Sequence, residues 1–428
     1  MKNRPLFHLL DGSRPPQALI AFGGAELTYD AFRRQVSGLS RNMRGCSSAA
    51  LACKDSAAFA IGLFALLHAG AEVILPPNCQ PATLAGLDTI LDDEAIWAVA
   101  PDDAALSPIG PDASVCFFTS GSTGEPKRIR RSLEMLEREA VTLARQWGDL
   151  LKAAPVLAMV SHQHLFGLTF KILLPLAAGL AFDARTHEVW ESLITALPEG
   201  AILVSSPAHL SRLGGIAAQP ANKHPAAIFS AGAPLPLEAS QEAEVILGCR
   251  PTEIFGSTET GAIASRQHDQ NWSLLPGHKL LDHPEGKLRL HSPYDLQTVE
   301  TADLIEPQDN GFRFLGRADR IAKIAGKRVG LAEVERSLAA LAWVEAAAVV
   351  LTDERLGAAV VLRPSGQTML AELGAFRFGR HLRRELASYL DSAAIPKLWR
   401  FVLQLPSHPL GKTRSADLLA LFAEETAQ

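Results

Sequence analysis

Helical and strand-like runs alternate through most of this chain, which predicts an α/β fold with largely parallel sheets. From about Lys287 the pattern becomes an alternation of polar and apolar residues, which predicts a β-rich region of half-exposed antiparallel strands. After Gly316 to Arg320 about a hundred residues remain, enough for a small domain of its own.

Leu27-Thr28-Tyr29 leads into an amphipathic run ending at Met43, and a second helical run, 58–69, is closed by Gly70-Ala71 before the strand-like 72–75. Further strand-like runs are 156–160, 201–205, 226–230 and 252–255, with helical stretches between them. The polar/apolar alternation shows in 287–290 and 311–315. Helix 331–341, strand 346–351 and helix 379–390 follow, an α+β pattern without internal repeats.

With 428 residues, 47% hydrophobic and 20% charged, the chain is globular and long enough for two or three domains. Its 41 basic and 46 acidic residues leave a net charge of −5, which offers nucleic acid no electrostatic footprint. Two local basic clusters, 127–131 and 380–384, read as solvated helix or loop faces, or as a docking face for an acidic carrier protein. Cys46, Cys53, Cys79, Cys116 and Cys249 are odd in number, form no C-x-x-C pair and partly sit in apolar runs. They read as reduced and mostly buried, which predicts a cytoplasmic protein. Residues 1–16 lack a signal peptide's long apolar core, and the most apolar region, 155–182, is broken by His162, His164 and Lys171, so no membrane span is expected.

The most informative stretch runs from Phe117 to Lys127: an apolar strand-like run enters Thr119, Ser120, Gly121, Ser122, Thr123 and Gly124, then Glu125-Pro126-Lys127. Two glycines let the backbone turn several N–H groups toward one anion, the hydroxyls add donors, and Lys127 adds a point charge. This chemistry suits a polyphosphate, with ATP the obvious candidate. A P-loop is excluded, because Lys127 follows Pro126 and not glycine. Gly411-Lys412-Thr413 fails the same test, since Pro406 stands where the first glycine is required.

The unbroken run from Thr119 to Lys127 resembles the signature of the adenylate-forming superfamily: acyl- and aryl-CoA synthetases, peptide-synthetase adenylation domains and luciferases. Four further motifs follow in that family's order: Phe255-Gly256-Ser257-Thr258-Glu259-Thr260; Thr301-Ala302-Asp303; Gly316-Arg317-Ala318-Asp319 with Lys323 and Gly326; and Pro409-Leu410-Gly411-Lys412. The resemblance implies a large N-terminal domain, 1–316, of two α/β subdomains plus a β-rich one, and a small mobile α+β C-terminal domain, 317–428. The stretch between Gly70-Ala71 and Thr119 is short for that family.

Activation of a carboxylic acid requires its carboxylate to attack the α-phosphorus of ATP, so cations must offset the repulsion between two anions. The resemblance assigns this role to Lys412. A lysine roughly 4 Å from such an oxygen is worth about 4 kcal/mol at an effective dielectric near 20, about a thousandfold in rate. Glu259 is the expected Mg2+ ligand, a hard oxygen donor for an ion whose other ligands come from phosphates and water. The resemblance places Thr258 on the α-phosphate, Thr123 in the catalytic phosphate loop, and Gly232, Ala233 and Pro234 beside adenine. Phe255 reads either as the ring stacked on adenine or as a core phenylalanine at a strand end. Asp303 would accept from the ribose hydroxyls and Arg317 would donate to them. Ala302, where the family usually has glycine, leaves the carboxylate in place.

His164 matches the family's His-x-x-Gly lining the acyl pocket, together with Gly232 and Gly256. A structural histidine, or a His162/His164 metal pair on one strand face, are the other readings. Asp319 matches the hinge, and Lys323 and Gly326 match a loop that delivers a phosphopantetheine thiol. The function implied is an ATP-dependent ligase that forms an acyl- or aryl-adenylate, releases pyrophosphate and passes the acyl group to CoA or to the phosphopantetheine of an acyl carrier protein. A small aromatic or unsaturated acid suits the short chain, and similar compact ligases accompany carrier proteins in bacterial aryl-polyene pathways. The alternatives are an adenylate-forming enzyme without thiolation and a non-catalytic nucleotide-binding homologue.

Overall fold

The computed structural model describes residues 5–24, 26–120, 126–151, 154–268, 270–282, 284–324, 327–352, 355–406 and 415–423. The chain divides into two compact units. The larger comprises Met1–Leu281, Leu290–Val299 and Asp309–Phe312, and the smaller Asp282–Arg289, Glu300–Gln308 and Arg313–Gln428.

One sheet of the larger unit runs in the order Ile90–Leu91, Ser48–Leu51, Glu72–Leu75, Ser114–Ser120, Pro126–Ser132. Its first four strands are parallel, and the last returns antiparallel as a hairpin. Helix Ser56–Ala69 is buried over nearly its whole length, as an all-apolar helix must be. The Asp55 carboxylate caps its start through the Ala58 amide, and Gly70 closes it at φ +79°. The short stretch between Gly70 and Thr119 therefore supplies an edge strand and two further short helices to this sheet.

A second sheet sets Pro251–Ser257, Ala227–Ser230, Ile202–Ser205, Val156–Ala158, Phe182–Asp183 and Leu19–Phe22 in parallel, with Leu27–Thr28 antiparallel at one edge. Beyond Pro251–Ser257 the sheet turns antiparallel through Gly261–Gln267 and Trp272–Leu274. One apolar core, including Phe32, Phe59, Phe64, Phe170 and Phe229, joins the helices to the sheets. This is the α/β arrangement the alternation predicts.

The smaller unit contains the hairpin Ile321–Ile324/Lys327–Gly330 and a sheet in which Arg355–Leu362 pairs antiparallel with Val344–Thr352 and parallel with Leu398–Phe401. Helices Leu331–Ala339 and Pro364–Leu386 accompany them around Val334, Leu338, Val360, Phe378 and Leu382, and helix Ser415–Ala423 sets Leu418 against Ala348, Val350 and Ala359. The predicted helix 379–390 ends at Leu386, and a separate helical stretch precedes it in Pro364–Leu386. That stretch starts at Pro364, whose fixed φ suits a first helical turn, and Gly374, at φ +71°, divides the two. Polar residues between Pro364 and Thr368 hide that start in the sequence.

Two other expectations need correction. The basic run 127–131 is neither a helix nor a loop face: it lies in strand Pro126–Ser132, where Arg131 is fully buried. The five cysteines are free, but only Cys53 and Cys116 are buried, the others half-exposed. Among the described residues no helix is long and apolar enough to cross a membrane.

Candidate active site

Two antiparallel strands flank the hydroxyl- and glycine-rich motif. Strand Ser114–Ser120 carries Thr119 and Ser120 to its end, and the returning strand sets Lys127 opposite Thr119 and Pro126 opposite Ser120. Gly121, Ser122, Thr123 and Gly124 lie outside the described residues; Lys127 is exposed.

A second hairpin carries Glu259. Strands Pro251–Ser257 and Gly261–Gln267 pair with a register shift between Phe255 and Gly256. The close approach there requires glycine, since a Cβ on Gly256 would stand 2.1 Å from the Gly261 carbonyl oxygen. The Ser257 amide donates to Thr260 Oγ1 at 2.9 Å, and that hydroxyl donates to the Gly261 carbonyl at 2.8 Å. This tight turn leaves Thr258 half-buried and Glu259 exposed at its tip. Phe255 is half-buried, with Trp272 and Phe312 edge-on to its ring at 5.0 and 5.2 Å.

Sequence reasoning missed what holds this turn. Arg131, 1% exposed, donates from Nη1 to the carbonyls of Thr258 at 3.2 Å and Glu259 at 2.9 Å. Its Nη2 meets the buried Glu139 carboxylate at 3.5 Å, and Glu139 also accepts from the Ala262 amide at 2.9 Å. Burial pushes the Glu139 carboxyl up, against the pull of Arg131 and of that amide. Two signals could have revealed the pair. Arg131 alternates in register with Ile129, and Glu139 sits on the same helix face as Leu136, Ala140 and Leu143.

Gly232, Ala233 and Pro234 form an exposed loop after strand Ala227–Ser230, with Gly232 at φ +102°. The loop is fastened where it ends: the Leu235 amide donates to Glu253, which Arg266 grips from Nε at 2.7 Å and Nη2 at 3.2 Å. Arg266 in turn lies over the Trp272 ring. Glu253 and Arg266 were also missed, as ordinary strand charges.

His162 and His164 do not share a strand face; they lie in the turn before the short helix Leu165–Gly167. A Cβ on Gly167 would stand 2.0 Å from the Ser161 carbonyl oxygen, so this turn closes only around glycine. His162 is buried, bonded to Ser56 Oγ at 2.9 Å and to the Cys53 carbonyl at 3.0 Å. Burial lowers its pKa to about 3, with nearby Lys171 adding to the effect. His162 is thus a neutral structural histidine, while His164 is half-buried at the helix start. The helix lies against strand Gly261–Gln267, which places the His-x-x-Gly turn close to the hairpin of Glu259.

Asp303, on strand Thr298–Gln308, and Arg317, at the end of strand Gly311–Arg317, both belong to the smaller unit and pair at 3.2 Å. Thr301 Oγ1 donates to the other Asp303 oxygen at 2.9 Å. Ala302 does not take positive φ, so alanine is accommodated there. Asp319 lies in the 3-10 turn Ala318–Arg320 and Lys323 in strand Ile321–Ile324, while Gly326 and Lys412 lie outside the described residues.

Glu259 fits the Mg2+ expectation: an exposed carboxylate on a turn whose carbonyls are pinned inward, with no ion pair among the described residues. No cluster of three or more His, Cys, Asp or Glu suited to a metal occurs among those residues.

Residues 78–289 match the family described as AMP-binding enzyme. The chain is 32% identical over 312 residues to 4-coumarate–CoA ligase of Rhodobacter capsulatus, covering 71% of this chain and 76% of that protein. The chain belongs to the adenylate-forming enzymes. It is 24% identical over 321 residues to 3,4-dihydroxybenzoate–[aryl-carrier protein] ligase of Bacillus anthracis, covering 72% and 74% of the two chains. The fold matches ATP-bound MatB of Rhodopseudomonas palustris with a TM-score of 0.80 at 19% identity, over 98% of this chain and 99% of that one. This adenylate-forming protein is an AMP-forming acid–thiol ligase, in a family that binds ATP and AMP.

Proposed function

We propose that this ligase joins a small aromatic or unsaturated carboxylic acid to the phosphopantetheine thiol of a carrier protein, with CoA as the alternative acceptor. In the first step the carboxylate oxygen bonds to the α-phosphorus of ATP, the bond from that phosphorus to the bridging oxygen breaks, and pyrophosphate leaves. In the second the thiol sulfur bonds to the acyl carbon, AMP leaves with the former carboxylate oxygen, and the thiol proton passes to solvent.

The observation that carries this reading is the fastening, by one buried arginine, of the Thr258–Glu259 turn to the strand returning from the hydroxyl-rich motif. Thr119 to Thr123, Gly124, Lys127, Ser257 and Thr258 would bind the phosphates. Gly232, Ala233, Pro234 and Phe255 would bind adenine, and Asp303 with Arg317 the ribose. His164, Gly232 and Gly256 would line the acid pocket. Glu259 would hold Mg2+, which when bound neutralises phosphate charge. Lys412 would neutralise the attacking carboxylate and the α-phosphate. Asp319 is the proposed hinge, and Lys323 and Gly326 the thiol passage, with 317–428 the mobile domain.

The substrate class is supported by the names of two relatives, which act on 4-coumarate and on 3,4-dihydroxybenzoate. Carrier protein as acceptor is supported by the second name and by helix Pro364–Leu386, whose Arg377, Arg380, Arg383 and Arg384 are exposed. None of the four makes an ion pair among the described residues. The test is acid-dependent exchange of label between pyrophosphate and ATP, over a panel of hydroxycinnamic and hydroxybenzoic acids. Exchange with at least one acid is expected. Exchange with none would favour the non-catalytic nucleotide-binding alternative.

A further inference from the structure

We infer that Arg131 is a positioning residue for Mg2+-nucleotide binding: it fixes the main chain under Glu259 and makes the placement of that carboxylate depend on the phosphate hairpin. The inference rests on the proposed role of Glu259. Arg131 stands in the strand that follows the hydroxyl-rich motif, five residues beyond Pro126. Its guanidinium crosses to a segment distant in sequence and takes the carbonyls of both Thr258 and Glu259.

Nη1 takes the two successive carbonyls while Nη2 faces Glu139, so the planar guanidinium spans the turn and its anchor at once. Glu139 carries the other end of the turn as well, through the Ala262 amide, and Tyr294 Oη donates to the Ala262 carbonyl at 2.7 Å. Gly261 completes the clamp. It has φ +72°, and a Cβ there would stand 2.6 Å from Glu139 Oε2 and 3.1 Å from Arg131 Nη2. With the carbonyls of 258 and 259 drawn inward, the Glu259 side chain is left exposed at the tip.

A lysine at 131 keeps the charge but ends in one nitrogen, which cannot stand at both the Nη1 and Nη2 positions, so it can hold the two carbonyls or reach Glu139 but not do both. Partners that orient a metal ligand typically change metal affinity or activity by about 10- to 100-fold when altered. The test is calorimetric titration of the full chain with ATP in the presence of Mg2+ and, separately, with ATP and a chelator, for the parent, R131K and R131Q, with thermal melting beside each. The parent should bind Mg2+-ATP more tightly than ATP alone. In whichever variant melts cooperatively, Mg2+-ATP affinity should fall about tenfold or more while chelated ATP changes less than about threefold, so that the advantage conferred by Mg2+ shrinks. A merely structural role would lower both affinities together. That result, or a folded variant with unchanged Mg2+ dependence, overturns the inference. A parent indifferent to Mg2+ would instead overturn the role of Glu259 on which it rests.

Discussion

His162 yields the sharpest quantitative prediction, because its surroundings set both sign and size. The ring is enclosed by Ser56 Oγ, the Cys53 carbonyl and the Phe59 ring, with centroids 4.3 Å apart. Burial, and secondarily the nearby Lys171 ammonium, lowers its pKa from 6.5 to about 3. Between these values the unfolded chain binds more protons than the folded one, so stability rises with pH. The contribution is complete above about pH 6.5 and is lost as pH falls toward about 3, at roughly 1.4 kcal/mol per unit. From about pH 7.5 to about pH 4.5 the loss from this one ring is about 3 kcal/mol. Urea unfolding of the parent and of His162→Gln at both pH values isolates it. Glutamine does not titrate, so the stability gap between the two proteins should narrow by about 3 kcal/mol at the lower pH. A gap that stays constant would show that His162 keeps an ordinary pKa when folded, and the reading of it as a sealed neutral residue would fail.

Three further outcomes follow from the same geometry. Gly261→Ala forces a side chain into positive φ, at about 1–2 kcal/mol, and drives its Cβ against Glu139 and Arg131. A lower melting temperature is expected, together with weaker Mg2+-ATP binding by calorimetry. Paired Arg380→Glu and Arg384→Glu, on the exposed helix face, should raise KM for a holo carrier protein about tenfold and leave KM for CoA unchanged; equal effects on both acceptors would remove the docking role. Lys412→Ala should slow pyrophosphate exchange up to about a thousandfold while sparing thioester formation from preformed acyl-adenylate, and equal losses in the two half-reactions would count against its assignment.

What the sequence made legible is what backbone geometry forces into a fixed spacing. Gly256 and Gly167 are required by carbonyl oxygens that leave no room for a Cβ, and each carries its neighbours Glu259 and His164 at a set offset. Such residues announce themselves as motifs. The strand pattern was equally readable, because parallel strands buried on both faces leave uninterrupted apolar runs. The start of helix Pro364–Leu386 was not, since its first turns are exposed and polar and carry no apolar periodicity.

Arg131 was hidden for a different reason. In a run of basic residues it looks like one more solvated charge, and only its partner, eight residues later on a helix face otherwise apolar, marks it as buried. The pair also explains how two glutamates near one turn serve opposite ends. Glu139 is enclosed, held by an amide and a guanidinium, and pushed toward its neutral form by burial. Glu259 is exposed, with its main chain held from below and its carboxylate left to solvent. A buried charge stripped of its partner is strongly destabilising, by about 3–5 kcal/mol, so Arg131 and Glu139 constrain each other regardless of any ligand. That constraint holds the main chain of the turn without nucleotide, so on the proposed role of Glu259 an ion would have to order only the carboxylate's own rotamers and not its backbone.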